Sequence, residues 1–392
     1  MRVGVFFQEF EPYHLGKDPG QLVVGLNEIG VTTELVSLRK QSLINYSELP
    51  IRAILPNEAH DIAYWRGSGF DVILAYTWLR PHCLWIPHIL AAAGLPVIVK
   101  GDTDGRLNYP LHPMWDTYVG GLPGILSYLK IARRRMKRQL NVHQSIKDFV
   151  AHLEIASGAV VETPQALSNL AFTLATHDSS RLLEKIFVIP NPVISSVFSS
   201  ASKARQIVAV GNWEMKFGDY YAKNTEVMCG SIGRFLIERP DFNAILIGNG
   251  TAFLTKLLSD LPTEVLNRIR IVGAIAHKAV LHLLGESRIL FMPSISESFG
   301  IAASEALTLG CSLVGSPLES LQYMSQGGAC GTLASNFSED AYLGALLADA
   351  LRWERGDYDP ATIAKYWRNE LDRKRIAGEF LSLFHEVQSS RR

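Results

Sequence analysis

The stretch Pro-Ser-Ile-Ser-Glu-Ser-Phe-Gly-Ile-Ala-Ala-Ser-Glu-Ala, residues 293–306, decides how the rest of this 392-residue chain is interpreted. It follows an apolar run at residues 289–292, which predicts a buried strand, and its second half predicts a helix that begins near Phe299 or Gly300. In a doubly wound sheet, ligands bind beyond the carboxyl ends of the strands. The free amides and positive dipole end of such a helix suit a diphosphate, and Gly300 lets a ligand approach the backbone closely.

Two carboxylates lie in this stretch, Glu297 in the loop and Glu305 about a turn and a half inside the helix. This spacing lets one carboxylate face a sugar while the other accepts hydrogen bonds from a ribose diol. The plainer alternative is that Ser296 or Ser298 caps the helix and that both glutamates are surface residues without a ligand. The pattern alone leaves these two interpretations open.

The chain repeats one rhythm, in which short β-branched runs alternate with longer amphipathic segments such as residues 222–238 and 301–309. This alternation predicts parallel sheets that are covered on both faces. The predicted strands are residues 3–7, 33–38, 72–75, 96–99, 159–162, 187–189, 207–210, 244–247, 269–272, 289–292 and 312–314. Residues 190–206 separate two such series and have the proline and serine content of a linker. We expect an α/β chain of two doubly wound Rossmann-like domains that face each other across a cleft.

Composition excludes several classes of protein. The 38 basic residues balance the 38 acidic ones, so no overall field favours nucleic acid, and we expect no nucleic-acid partner. The four cysteines are far apart, which argues against a disulfide scaffold and against a structural zinc site. Residues 81–99 match a membrane span in length, but prolines and a glycine break them into a helix, a turn and a strand. We expect a soluble, cytoplasmic protein.

Residues 125–140 predict a basic amphipathic helix. Residues 128–138 contain six basic side chains and no acidic one, and apolar residues recur at helical spacing from Ile125 to Leu140. Such a helix suits an anionic membrane surface. The alternative is that the apolar stripe packs on the sheet and the cations are simply solvated, and the sequence does not choose between the two.

The segment at residues 293–306 resembles the Glu-x7-Glu signature of the retaining glycosyltransferases of family 4 (glycosyl transferases group 1), which have the GT-B fold. Its continuation through residues 305–314 fits the same signature. The resemblance extends over about residues 186–334. Within it, residues 188–193 resemble the Pro-Asn-x-Val turn that ends the family's first domain, and residues 207–211 resemble the first strand of its nucleotide domain.

The resemblance implies roles for the residues of this stretch. Glu305 would bind the ribose of a nucleotide sugar, and Glu297 would lie near the hydroxyls of the donor sugar. The backbone amides of Ser298, Phe299 and Gly300 would lie near the diphosphate. These roles belong to the resemblance, because spacing alone does not establish them.

The resemblance also implies a lysine that neutralises the departing diphosphate. Lys223 lies 25 residues before Gly248 and fits this role better than Lys216, which is the second choice. The alternative for Lys223 is a solvated lysine at the start of a helix. Gly248 and Gly250 resemble the family's strand–Gly-x-Gly turn on the donor side.

The sequence departs from the family pattern at two places. Asn212 follows the first-strand glycine, where the family usually has an arginine for the diphosphate. In the first domain, Asp102 lies closest to the position where many members have a histidine, which leaves the group facing the acceptor open. The polar loop after the first strand contributes Gly16 as a weaker candidate, since the family's glycine pair is not intact there.

Two cofactor-dependent alternatives fit the sequence less well. Asp102-Thr103-Asp104 matches the metal-binding Asp-x-Asp of another glycosyltransferase class, but the GT-B pattern replaces that metal with helix dipoles and basic side chains. We therefore expect no metal site and no cofactor. Residues 248–253 partly match a dinucleotide fingerprint, yet Phe253 stands where the third glycine belongs, and no acidic residue follows the next strand.

Together these observations predict an enzyme, a retaining glycosyltransferase of the hexosyltransferase type. It would move a sugar from a nucleotide diphosphate sugar, with UDP favoured, to a sugar or lipid-linked acceptor in polysaccharide or glycolipid assembly. The predicted domains are residues 1–190 for the acceptor and 191–362 for the nucleotide sugar, with residues 363–392 packing back on the first. The alternatives are an epimerase or hydrolase of sugar nucleotides on the same fold, and a catalytically silent nucleotide-sugar-binding protein. The protein is expected in the cytoplasm or at the inner face of the plasma membrane.

Overall fold

A computed structural model describes residues 1–38, 49–105, 125–194, 202–217 and 220–389. The chain forms two compact units. Unit 1 comprises Met1–Leu107, Leu140–Ile194 and Glu370–Arg392, and unit 2 comprises Asn108–Gln139 and Ser195–Asn369. The predicted first domain ended at residue 190 and resumed at residue 363; the units change at Ile194 and at Glu370.

The strands of the described residues are short and mostly buried. They are β1 (Arg2–Phe6), β2 (Thr32–Leu38), β3 (Ile51–Ile54), β4 (Val72–Tyr76), β5 (Val97–Lys100), β6 (Gly158–Val161), β7 (Ile186–Val188), β8 (Ala204–Val210), β9 (Lys216–Phe217), β10 (Tyr220–Tyr221), β11 (Asn243–Ile247), β12 (Ile269–Val272), β13 (Ser287–Met292), β14 (Ser312–Gly315) and β15 (Gly331–Leu333).

Helices lie between most of these strands. They are α1 (Asp18–Glu28), α2 (Pro56–Ala59), α3 (Ile62–Arg66), α4 (Trp85–Ala92), α5 (Ile125–Ile155), α6 (Pro164–Ala175), α7 (Thr225–Glu238), α8 (Thr251–Leu258), α9 (Thr263–Leu266), α10 (His277–Glu286), α11 (Ile301–Thr308), α12 (Glu319–Met324), α13 (Glu339–Arg355), α14 (Pro360–Glu370) and α15 (Arg373–Ser389). Short 3₁₀ turns, such as Pro12–Gly16 after β1, complete the connections.

The sheet of unit 1 is parallel throughout its described residues, in the order β3-β2-β1-β4-β5-β6-β7. Alternate side chains of β4 enter two different cores: Val72 and Leu74 pack with α15, and Ile73 and Ala75 pack with α4 and α6. A strand covered on both faces must be apolar on both faces. This requirement explains the uninterrupted apolar run that predicted β4.

The sheet of unit 2 is also parallel in its described part, in the order β12-β11-β8-β13-β14-β15. The order reverses direction between β8 and β13, and such switch points are where doubly wound sheets bind ligands. A small antiparallel hairpin, β9–β10, lies between β8 and α7. The two parallel sheets confirm the predicted pair of Rossmann-like domains.

The sequence missed two edge strands and the short β9–β10 hairpin, and it misplaced one boundary. β3 is half exposed and contains Arg52, and β15 has three residues and begins with Gly331, so neither has an apolar run strong enough to be noticed. The predicted linker at residues 190–206 was too long, because β8 begins at Ala204, while residues 195–201 lie outside the described residues. Residues 81–99 do form a 3₁₀ turn, a helix and a strand.

Candidate active site

Two glycine-containing turns lie at the carboxyl ends of β8 and β11 in unit 2. The Gly211 amide donates to the carbonyl of Ile247 at 3.0 Å. Gly248 has φ of 130°, and a Cβ on it would lie 1.8 Å from the Gly211 carbonyl oxygen. Only glycine fits this contact. The sequence-predicted Gly248 therefore joins two neighbouring strand ends at the edge of the sheet.

Lys223 is positioned by the backbone on both sides of it. Asn224 adopts the left-handed conformation, with φ of 50°, directly before α7 begins. The carbonyl of Ala222 accepts a hydrogen bond from the amide of Ile295 at 3.0 Å. This bond ties the segment before α7 to the loop after β13. As a result, Lys223 is brought beside the loop that contains Glu297.

The Lys223 ammonium and the Glu297 carboxylate form an ion pair, with 2.5 Å between Nζ and Oε1. Lys223 also donates to the hydroxyl of Ser294 at 3.2 Å. The two charged side chains are 22% and 15% exposed, so both are partly shielded but still reachable by a ligand. Water does not fully screen a cation in such a position, and an anion placed there gains more than it would on an open surface.

The loop between β13 and α11 is held by two serines of the following segment. Ser316 donates to the carbonyl of Ser294 at 2.6 Å, and Ser320 donates to the carbonyl of Glu297 at 2.8 Å. Phe299 is 1% exposed and anchors the loop in the core. No sequence pattern indicated Ser316 or Ser320, because their role is to hydrogen-bond backbone that is distant in the chain.

Gly300 precedes α11 in the left-handed conformation, with φ of 86°, so the helix begins at Ile301. The predicted start near Phe299 or Gly300 was therefore one or two residues early. Helix amides at this end have no partner within the helix, and Ser298, Phe299 and Gly300 lead directly to them. Glu305 lies in the second turn and is buried.

His277 is a site residue that the sequence did not indicate. It is the first residue of α10, and its Nε2 lies 2.6 Å from Oε1 of Glu305. The His277 side chain is 37% exposed, whereas that of Glu305 is 8% exposed. The histidine therefore covers and orients one oxygen of the carboxylate. The two residues are 28 positions apart, a separation that carries no periodic signal.

The other donor-side candidates lie around this centre. Asn212 is exposed directly after Gly211. Lys216 lies on the β9–β10 hairpin, with its Nζ 4.6 Å from the centre of the Tyr221 ring. Gly250 caps α8 with φ of 95° and faces the side chain of Glu214, which a Cβ would approach to 3.0 Å. The structure thus brings Lys223, and not Lys216, to the carboxylate of Glu297.

The two acceptor-side candidates belong to unit 1. Gly16 ends the 3₁₀ turn that leads to α1, and Asp102 lies in the turn after β5 with φ of 41°. Both are at the carboxyl edge of the sheet, where ligands of doubly wound domains bind. Within the described residues, no group of three or more His, Cys, Asp and Glu side chains is arranged to hold a metal ion. Asp102 and Asp104 are therefore not part of such a group.

Comparison with known proteins supports this interpretation of unit 2. Residues 219–353 match the family model of the glycosyl transferases group 1. The A subunit of human phosphatidylinositol N-acetylglucosaminyltransferase is 28% identical over 137 residues, which are 33% of this chain. That match spans only 27% of the length of the curated relative.

Solved structures share the whole fold at low sequence identity. HepE from Anabaena, solved with UDP and glucose, has a TM-score of 0.69 at 12% identity and covers 98% of this chain and 100% of its own. The lipopolysaccharide outer core galactosyltransferase WaaB gives the same four values. Sucrose-phosphate synthase from Thermosynechococcus elongatus has a TM-score of 0.67 at 15% identity, covering 99% of each chain. Residues 219–353 are therefore similar to the glycosyl transferases group 1, and the chain has the GT-B fold.

Proposed function

We propose that this protein is a retaining glycosyltransferase of family 4. In this proposal it transfers a hexose from a UDP-sugar to an acceptor hydroxyl, in polysaccharide or glycolipid assembly at the cytoplasmic side of a membrane. The observation that carries the proposal is the Lys223–Glu297 ion pair beside the start of α11. It puts a partly shielded cation, a carboxylate and free helix amides within one short segment of a nucleotide-binding type of sheet. HepE, a structural neighbour, was solved with UDP and with UDP-glucose, which favours UDP here.

The proposed mechanism is mainly electrostatic. The bond between the sugar and the diphosphate oxygen breaks, and the developing negative charge is stabilised by Lys223 and by the amides after Gly300. The acceptor oxygen forms its new bond on the face that the diphosphate leaves, and its proton passes to the departing diphosphate. Glu297 turns from Lys223 towards the sugar hydroxyls as the diphosphate replaces it as the partner of the lysine. Retention without a covalent intermediate follows from this order of events.

Nucleotide binding is the first test of the proposal. UDP is expected to raise the melting temperature of the protein more than GDP, ADP or dTDP does, without added metal. A ligand that binds only the folded state at about 100 times its Kd adds about 2.7 kcal/mol to the free energy of unfolding. Binding together with transfer to an acceptor would support the enzyme. Binding without any release of sugar would instead favour a catalytically silent binding protein. The observation that favours this alternative is the exposed Asn212, which stands where the family usually has an arginine.

We further propose that transfer needs no metal ion. Lys223 and the helix amides supply the positive charge that a divalent cation supplies in other enzymes. Turnover of UDP-glucose is therefore expected to be unchanged, within about twofold, after EDTA treatment. Loss of turnover on chelation and its return with Mn²⁺ would contradict this, and would direct attention to the Asp102–Asp104 pair of unit 1.

The basic helix α5 favours a membrane surface as the place of action. Its apolar side chains Leu126, Tyr128, Leu129 and Met136 are 55–77% exposed. Leu129 and Met136 belong to the predicted apolar stripe, and their exposure means that they do not pack on the sheet. Six basic residues occur within residues 128–138. Exposed apolar groups beside cations match an interface of anionic headgroups and acyl chains. No helix in the described part of the chain is long and apolar enough to cross a membrane.

Liposome sedimentation tests this surface. Binding to vesicles with phosphatidylserine is expected to weaken about 30-fold in the double variant Lys130→Gln/Arg133→Gln, because each cation near an anionic surface adds about 1 kcal/mol. Leu129→Ser is expected to weaken binding as well. Phe172→Ser is the matched control, since this side chain of α6 is 73% exposed outside the helix α5. Equal binding to neutral and anionic vesicles, or none at low salt, would rule the surface out.

A further inference from the structure

A buried group of charges occupies the carboxyl edge of the unit 1 sheet. Lys100, the last residue of β5, and Glu162, which follows β6, are both 0% exposed. The Lys100 Nζ lies 2.8 Å from Oε1 of Glu162 and 3.7 Å from Oδ2 of Asp18, the first residue of α1. Removing such charges from water is costly unless every partner is well placed. A pair retained at this edge therefore calls for a reason beyond stability.

The Glu162 carboxylate holds the turn that contains Asp102. Its Oε1 accepts the amide of Asp102 at 3.0 Å, and its Oε2 accepts the amide of Thr103 at 3.2 Å. Asp102 has φ of 41°, a conformation that non-glycine residues adopt at a cost. Two hydrogen bonds to one carboxylate compensate that cost. Glu162 thus holds the backbone of this turn, and with it the position of Asp102.

The same lysine reaches the start of α1. Oδ2 of Asp18 accepts the hydroxyl of Tyr76 at 2.5 Å, and Lys100 lies within ion-pair distance of the same oxygen. The 3₁₀ turn that ends at Gly16 leads directly into this helix. One buried cation therefore connects the two segments that contain the acceptor-side candidates, Gly16 and Asp102.

We propose that Lys100 and Glu162 are positioning residues that fix the Asp102 turn and the start of α1 for the acceptor. This inference rests on the proposed function, because it assigns the acceptor to this edge of unit 1. Neither residue touches the acceptor itself, since both are fully buried. They act through the backbone of the turn and through Asp18.

The charges of this group make the turn sensitive to pH near neutrality. Burial, together with the charges of Asp102 and Asp18, raises the pKa of Glu162 to about 7 despite Lys100. Burial also raises the pKa of Asp18. Although burial alone lowers it, the neighbouring carboxylates raise the pKa of Lys100, so the lysine stays charged. Burial keeps the Tyr76 hydroxyl protonated by raising its pKa well above the usual value. As the pH falls below about 7, Glu162 becomes neutral and its hydrogen bonds to the turn weaken.

Hydrogen exchange of the Asp102 and Thr103 amides tests the proposal without any substrate. Glu162→Gln is expected to lower their protection factors roughly tenfold, since a charged acceptor is replaced by a neutral one. In the unmodified protein, protection is expected to fall as the pH drops through about 7, and this dependence disappears in Glu162→Gln. Lys100→Met is expected to move the fall to higher pH, because Lys100 lowers the pKa of Glu162.

A matched control is Asp349→Asn in unit 2. Asp349 is also 0% exposed, and it accepts from Ser312, Thr332 and Tyr358. Its replacement is expected to lower the melting temperature while the pH dependence of the Asp102 turn stays intact.

The pH dependence of stability is an independent measurement. Folding raises the pKa of Glu162 from 4.5 to about 7. The contribution of Glu162 to the free energy of unfolding is therefore largest at low pH, and it declines as the pH rises through this window. Glu162→Gln is expected to abolish that decline.

Turnover separates positioning from a purely structural role. With UDP-glucose as donor and n-octyl β-D-glucopyranoside as the acceptor probe, kcat/KM for the acceptor is expected to fall several-fold below pH of about 7. In Glu162→Gln it is expected to be low and flat with pH, while KM for UDP-glucose changes less than about twofold. Exchange that is unchanged in Glu162→Gln overturns the inference. If amide exchange changes in Glu162→Gln but the pH profile of kcat/KM for the acceptor does not, Lys100 and Glu162 have only a structural role. Absence of UDP binding and transfer in the unmodified protein overturns the proposed function instead, and the exchange result still stands.

Discussion

Lys223→Ala is expected to lower kcat for sugar transfer by roughly 10²–10³-fold, the usual loss when one preorganised donor to a developing anion is removed. The Lys223 ammonium is held 2.5 Å from the Glu297 carboxylate and is 22% exposed, so it is fixed in place before any ligand arrives. In the proposed mechanism, an incoming diphosphate exchanges one anionic partner of the lysine for another. Because its charge grows as the sugar leaves, the lysine stabilises the transition state more than the ground state.

The pattern of variants around Lys223 makes this prediction specific. Lys216→Ala is the matched control, since Lys216 is a lysine of the same unit that lies over the Tyr221 ring. It is expected to keep kcat within about threefold, and Lys223→Arg is expected to restore part of the activity. The free energy of unfolding of Lys223→Ala is expected to fall by only about 1–2 kcal/mol, because the Lys223–Glu297 pair is partly exposed. Full activity in Lys223→Ala together with loss in Lys216→Ala would reverse the assignment.

The sequence predicted those parts of the molecule that have local causes. Strands such as β4 and β13 are apolar on both faces because helices cover both sides, and this composition is visible in a run of four or five residues. Gly248 and Gly300 mark turns because their φ angles exclude a side chain, or nearly so. The order of these elements along the chain, together with the family resemblance, then predicted two domains.

The remainder depends on contacts between residues that are distant in the sequence. Glu305 meets a histidine 28 positions away, and Glu162 meets a lysine 62 positions away. Residue type misleads in the second case, since lysine and glutamate at strand ends ordinarily indicate solvent rather than the fully buried position that Lys100 occupies. For the basic helix the sequence left the choice open, because the apolar spacing of Leu129 and Met136 is the same whether the stripe is buried or exposed.

Glu305→Ala is expected to weaken UDP binding by roughly 10–100-fold, the loss that accompanies removal of a charged hydrogen-bond acceptor. The Glu305 carboxylate is 8% exposed, and one of its oxygens is engaged by His277 at 2.6 Å. Its position in the second turn of α11 suits a ribose diol whose diphosphate lies at the start of that helix. Calorimetric titration with UDP and with 2′,3′-dideoxy-UDP measures this directly. The unmodified protein is expected to prefer UDP, and Glu305→Ala is expected to bind both nucleotides equally.

His277→Ala separates orientation of the carboxylate from direct contact with the nucleotide. If His277 acts by orienting Glu305, its removal weakens UDP binding in the unmodified background by roughly tenfold and has little further effect in Glu305→Ala. A second pair, His282 and Glu286, has 3.4 Å between the histidine nitrogen and the carboxylate and lies on the same helix α10. Glu286→Ala and His282→Ala are therefore matched controls that should leave Kd unchanged. Equal preference for the two nucleotides in the unmodified protein would remove Glu305 from the ribose site, and additive losses from His277→Ala and Glu305→Ala would mean that the histidine contacts the nucleotide by itself.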